Sequence, residues 1–307
     1  MRIVFFGTPQ FAVPSLTALL REGHAVAAVV TRPDRPQGRS RSTLVPPPVK
    51  VIARRNGIRV LQPARPVGDL FLAGLRHLEP ELGVVVAYGH ILHPEVLAIP
   101  PMGMINVHAS LLPRHRGAAP IQHAILAGDR ESGVSVMQMT EGLDSGPVFH
   151  RIATPIEPGE SAGSLADRLA DLGATALIET LSLLAAGQAR PVPQDPAEAT
   201  CAPKLSRETA RLDWRQAAEI VARQVRAFDP APGAWTTHRG TPLKLFGGAA
   251  VPGQGEPGTV LAAGERLVLA CGRDAVEIRE VQPAGRARLP VGAWVRGRGI
   301  IAGERLQ

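Results

Sequence analysis

The chain has 307 residues, 45% of them hydrophobic and 20% charged, the make-up of an ordinary globular protein long enough for two modest domains. No apolar run approaches the roughly 18–20 residues that cross a bilayer. The opening MRIVFFGTPQFAVPSL is interrupted by Gly-Thr-Pro, unlike a signal peptide, so a cytoplasmic protein with no membrane partner is expected. The net charge of +7 is uneven: residues 204–307 hold 16 Lys and Arg against 10 Asp and Glu, and so carry six of the seven charges. A basic C-terminal third points to a polyanionic partner, nucleic acid first.

The elements alternate along the chain. RIVFF (2–6) is a short buried strand ending at Gly7, and FAVPSLTALLREG carries apolar residues at helical spacing up to Gly23. AVAAVVT (25–31) is a second strand. RPDRPQGRSRSTLVPPP then reads as a long loop with five prolines and four arginines. VKVIARRNG is a short helix, IRVLQP is strand-like, and DLFLAGLRHL is an amphipathic helix. LGVVVAYG (82–89) is the best central strand, and MINVH (104–108) is another. AAPIQHAILAG is a helix stopped by Gly128. Two strands, SGVSVMQM and PVFHRIATPI, flank the turn TEGLDSG, and a long helix spans 161–187.

This alternation predicts an α/β fold: a Rossmann-like, mostly parallel sheet that binds ligands beyond its C-terminal strand ends. The Pro-rich, polar stretch 189–206 reads as a linker. ETARLDWRQAAEIVARQVRAF reads as one more helix, and short alternating strands between glycines then suggest a small β-barrel of OB type. The expected domains are residues 1–188, a linker at 189–206, and 207–307.

Asn106 and His108 stand two apart on a strand, so both side chains leave the same face. An amide and an imidazole converging on one point suit the oxyanion of acyl transfer. Asp144, in the turn EGLDSG, is a third candidate, because a carboxylate beside His108 can favour the imidazolium and accept a proton. The chain has no nucleophile elbow, no P-loop and no G-x-G-x-x-G after the first strand. The other histidines (His24, His77, His90, His93, His115, His123, His150 and His238) lack metal spacing, so no metal is expected. Cys201 and Cys271 stand alone and read as semi-buried.

INVHASLLPRHRGAAPIQHAI, with GVSVMQMTEGLDSGPV downstream, resembles the core of the folate-dependent formyltransferases, and Asn106, His108 and Asp144 match that family's catalytic triplet. FFGTPQFAVPSL, RPDRPQGR, VVVAYGHIL, KLSRETARLDW, RAFDPAPGAW and TPLKLF extend the likeness to about residue 247, most closely to members that act on aminoacylated initiator tRNA. The resemblance implies 10-formyltetrahydrofolate as donor and the α-amino group of methionine on initiator tRNA as acceptor, in a monomer. It implies folate contacts from Ser110, Leu111, Leu112 and Pro113, with a pocket completed by Tyr88, Gly89, His90, Ile91, Leu92 and Gly142. Arg39, Arg41 and Lys204 are implied as tRNA contacts, and the C-terminal barrel as tRNA-binding. His115 departs from the family, which usually has an aromatic residue there. Two readings compete: a formyltransferase for a nucleotide-linked amino sugar or another small amine, and a non-catalytic RNA-binding protein.

Overall fold

The computed structural model describes residues 1–37 and 43–307; Arg39 and Arg41, expected to contact tRNA, lie outside the described residues. Contacts group the chain into two compact units that interleave along the sequence. The first comprises Met1–Gly117, Ser132–Thr154 and Ala166–Cys201; the second comprises Ala118–Glu131, Pro155–Leu165 and Ala202–Gln307. The stretch 189–206, expected as a linker, is thus divided at Cys201/Ala202.

The first unit is built on a seven-stranded sheet. Its strands are β1 (Arg2–Gly7), β2 (Ala25–Val30), β5 (Val60–Leu61), β6 (Leu82–Val86), β7 (Met104–His108), β8 (Glu131–Gln138) and β9 (Val148–Pro155), in the order β5-β2-β1-β6-β7-β8-β9. From β5 to β7 the pairing is parallel, and β8 turns antiparallel against β7. The expected mostly parallel sheet is found. Its central strands are apolar on both faces because helices cover both: β6 (LGVVV) is buried throughout.

Helix α1 (Val13–Arg21) starts on a proline in its first turn and gives way to Gly23 in the left-handed region. Helices α2 (Pro48–Arg55), α3 (Asp69–Arg76) and α4 (Pro94–Leu97) complete the alternation. The Arg-rich loop is a hairpin at its base: β3 (Arg35–Gln37) pairs antiparallel with β4 (Thr43–Val45). That base is pinned from below by the buried Lys50, whose ammonium meets both carboxylate oxygens of Asp34 at 2.7 Å, while Gln62 Nε2 donates to Asp34 Oδ1 and to Arg32 O at 2.8 Å each.

In the second unit, α5 (Pro120–Ala127) opens on proline and ends at Gly128, φ +73°. A long helix, α6 (Ala162–Ala185), begins in this unit and runs mainly in the first. Helix α7 (Ala218–Ala227) is shorter than expected, since residues 207–217 fold into turns. The cause is local. Asp213 Oδ1 accepts from the backbone N of Arg215, a turn-forming bond that competes with helix. Leu212 N donates to Trp235 O, as a strand would.

Two four-stranded sheets follow. One orders β10 (Ala234–His238), β11 (Thr241–Phe246), β16 (Glu280–Pro283) and β17 (Leu289–Pro290); the other is β12 (Ala249–Val251), β15 (Ala275–Ile278), β14 (Leu267–Ala270) and β13 (Val260–Ala263). All the pairings described are antiparallel. Both sheets, with α7 and Trp214, share one apolar core containing Val221, Phe228, Leu245, Leu269 and Ile278; a short helix, α8 (Val291–Arg296), adds Val291. Cys271 is buried, whereas Cys201 is exposed, against the expectation of a semi-buried thiol.

Candidate active site

The chemistry-bearing residues gather where β7 ends. Parallel pairing with β6 aligns Val85 with Asn106, and antiparallel pairing with β8 sets His108 opposite Ser135. Asn106 and His108 therefore share a face, as their spacing predicts. Asn106 is half-buried, and its amide makes no hydrogen bond with the described residues. His108 is buried, and its two ring nitrogens have distinct surroundings.

Nε2 lies 3.0 Å from the carbonyl oxygen of His115. A carbonyl can only accept, so Nε2 is the donor there, and Nδ1 is the nitrogen left to face the site. Nδ1 faces Asp144 Oδ2 at 3.7 Å. That is ion-pair range but longer than a hydrogen bond, which leaves the Nδ1 proton free to point to a third atom.

The loop after β7 bends because its polar groups are tied down. Ser135 Oγ donates to Ser110 O at 2.7 Å and accepts from Leu112 N at 3.0 Å. Ser110 Oγ donates to Arg114 O at 2.6 Å. His115 sits at φ +58°, and its amide donates to Thr200 Oγ1 at 2.8 Å. This backbone bond gives His115 a role that its side-chain identity does not set. Asp144 and Ala87 also take positive φ, both at 47°. Such conformations cost about 1–3 kcal/mol each and persist where surrounding contacts over-determine them. Gly146 closes the Asp144 turn, and a Cβ there would collide with Gln138 O.

The residues expected to hold the donor divide by burial. Tyr88, Leu92, Ser110, Leu112 and Pro113 have buried side chains. Tyr88 packs edge-on to Phe6 at 5.3 Å, and burial pushes its phenol up to about 12. Leu112 packs with Met137 and Val148. These five residues are left with backbone atoms to offer a ligand. Ile91 is 80% exposed, His90 and Leu111 are half-buried, Gly142 is exposed, and Gly89 is left-handed at φ +85°. Lys204, in the second unit, is exposed.

Sequence reasoning missed the residues that hold this site: Ser135, Thr200, the Gly117 amide and Gln194. Ser135 faces the loop by strand register, a signal present in the strand pattern. Gln194 and Thr200 sit in a Pro-rich stretch without periodicity. Among the described residues no group of three or more His, Cys, Asp or Glu is placed to hold a metal. None of their helices is long and apolar enough to cross a membrane.

Residues 1–181 match the family model described as formyl transferase, and residues 204–299 match that of the formyl transferase C-terminal domain. A methionyl-tRNA formyltransferase from Aromatoleum aromaticum is 47% identical over 308 residues, covering 100% of this chain and 97% of that protein. One from Thermus thermophilus is 46% identical, covering 100% and 99%. Among solved structures, HypX from Aquifex aeolicus in complex with tetrahydrofolic acid superposes with a TM-score of 0.70 at 23% identity. It covers 97% of this chain, which spans about half (47%) of that longer protein. Methionyl-tRNA formyltransferase from Clostridium thermocellum gives a TM-score of 0.57 at 14% identity, covering 91% and 98%. The two structural likenesses carry the fold alone. The chain belongs to the formyl transferase family and is an enzyme of that class.

Proposed function

We propose that this enzyme transfers the formyl group of 10-formyltetrahydrofolate to the α-amino group of methionyl initiator tRNA, in the cytoplasm and as a monomer, with Asn106, His108 and Asp144 as its catalytic residues. The observation that carries the site assignment is the fixed His108 ring, which turns Nδ1 toward Asp144 on the face it shares with Asn106. The acceptor is supported by relatives of that name at 46–47% identity over the whole chain.

The neutral amine attacks the formyl carbon. A C–N bond forms, and the carbonyl electron pair moves to oxygen. The Asn106 amide and the Nδ1–H of His108 are donors for that oxyanion, and fixed donors need no reorganisation as charge develops. Asp144 Oδ2 faces the same Nδ1 and counters the imidazolium charge. On collapse the bond to N10 breaks. The proton lost by the attacking nitrogen goes to N10, with Asp144 and His108 as the groups able to relay it.

Flat folate rings suit the C-terminal strand ends, where Ile91, Gly142 and the left-handed Gly89 expose apolar side chain and open backbone; Ser110, Leu111, Leu112 and Pro113 contribute mainly main chain. The acceptor's phosphates suit basic groups. Those at Arg39, Arg41 and Lys204 are assigned here, together with the basic residues of 207–307. Residues 1–188 are assigned to the chemistry.

The test is transfer from 10-formyltetrahydrofolate to methionyl initiator tRNA, with a UDP-linked amino sugar and glycinamide ribonucleotide as parallel acceptors. Transfer to the tRNA alone is expected. Transfer to a small acceptor alone would keep the site and overturn the acceptor; no transfer, with RNA binding intact, would favour a binding protein.

A further inference from the structure

Asp144 is held from two sides by adjacent residues of the loop after β7. Directly, Gly117 N donates to Asp144 Oδ2 at 2.9 Å. Indirectly, Arg116 acts through Gln194. Gln194 is buried at 9% exposure, and all four hydrogen-bonding positions of its amide are used. Its Nε2 donates to Asp144 O at 2.9 Å and to Gly146 O at 2.7 Å. Its Oε1 accepts from Arg116 Nε at 3.0 Å and Arg116 Nη2 at 2.7 Å.

Gln194 is itself anchored. Two residues earlier, Val192 pairs with Val148 at the start of β9, through bonds of 2.8 and 2.9 Å. Six residues later, Thr200 accepts from the amides of both His115, at Oγ1, and Arg116, at its carbonyl. The segment 192–200 therefore straps the His115–Gly117 loop to the Asp144 turn. One of these residues presents the carbonyl that orients His108, and the other presents the carboxylate that faces it.

We infer that Gln194 is a positioning residue for catalysis: it fixes the backbone of the Asp144 turn, at its positive φ, so that Oδ2 faces His108 Nδ1. The inference rests on the assignment of Asp144 to the chemistry made above. Without the two Nε2 donors, the buried Gly146 carbonyl and the part-buried Asp144 carbonyl lose partners, and the turn relaxes from its strained conformation. A displacement of about 1 Å at a catalytic group costs on the order of 100-fold in rate.

The experiment is a double-mutant cycle on kcat for formyl transfer, with wild type, Asp144→Asn, Gln194→Met and the double variant, each checked for folding by thermal unfolding. Gln194→Met keeps the side-chain volume and removes every hydrogen bond. We expect it to lower kcat by about 10- to 100-fold, and the double variant to be within about twofold of Asp144→Asn alone. A Gln194→Met enzyme within twofold of wild type overturns the inference, and so does full multiplication of the two losses, which would mean that Gln194 acts without Asp144. If the Met variant does not fold, Gln194→Glu replaces it in the same cycle, since it keeps the Arg116 fork and substitutes acceptors for both donors. An Asp144→Asn enzyme at the wild-type rate is a separate result: it removes Asp144 from the chemistry, and this inference with it.

Discussion

The strand-end region of the first unit and the core of the second spend their buried volume differently. At the ends of β7 and β8, His108, Ser110, His115, Ser135 and Gln194 are buried, and each has a hydrogen-bond partner described above. The second unit buries mainly apolar side chains, with Trp214 bonding Thr236 Oγ1 at 3.0 Å as a polar exception. Two acidic groups, Asp229 and Glu277, are buried and each is paired with an arginine, whereas Lys204, Arg207, Arg211, Arg286 and Arg298 are exposed. Burying polar groups costs free energy unless each is paired, so a chain concentrates them where their orientation is needed. Exposed basic side chains need no convergent geometry to raise local anion concentration over a wide surface. The first pattern suits bond chemistry and the second suits recognition of a polyanion.

The comparison breaks most clearly if polar substitutions at the strand ends fail to act on rate. His108→Ala and Asn106→Ala are each expected to lower kcat by about 10²–10³-fold. Thermal unfolding should shift by no more than one hydrogen bond's worth, about 1 kcal/mol. In the second unit the expectation reverses. Phe228→Ala, within the shared core, should cost about 3–5 kcal/mol in urea unfolding and act on kcat only through the folded fraction.

The Lys50–Asp34–Gln62 cluster sharpens the contrast, because there a buried polar group serves the fold. Asp34→Ala strands the Lys50 ammonium and should lower the stability measured by urea unfolding. Hydrogen bonds from Gln62, then from Lys50, lower the Asp34 pKa below its ordinary value of 3.8. Its contribution is therefore complete above about pH 4 and is lost as pH falls through the lowered value. An acid titration of unfolding should show wild type converging on the variant only below pH 4. The smallest effect is expected at Lys204. Lys204→Ala should weaken tRNA binding modestly and reduce the slope of log K against log salt by about one; an unchanged slope would take Lys204 off the phosphate.

What the sequence disclosed followed from periodicity and from special residues. The uninterrupted apolar run of β6 marked a doubly covered strand. Gly128 marked the end of α5, and the N-x-H spacing placed Asn106 and His108 on one face. What stayed hidden depended on partners far along the chain. ETARLDW has helical periodicity, but Trp235 draws its backbone into strand-like pairing and Asp213 caps a turn, so the helix waits until Ala218. The Pro-rich start of the expected linker 189–206 lacks periodicity because its structure comes from single bridges, Val192 to Val148 and Thr200–Cys201 to Arg116, rather than from a repeating pattern. Tyr88 lies beside a pocket in sequence, yet past the end of β6 its ring is buried in the core against Phe6. The choice of His108 nitrogen was unreadable, since it depends on a carbonyl set by the φ of His115.

The most direct test of the strand-end site is a structure with a 10-formyl folate analogue that carries carbon in place of N10 and so cannot release its formyl group. The formyl oxygen should lie about 2.7–3.1 Å from both Asn106 Nδ2 and His108 Nδ1, with Nε2 still on the His115 carbonyl. A formyl group held away from β7, or a ring turned so that Nε2 meets the ligand, would contradict the account.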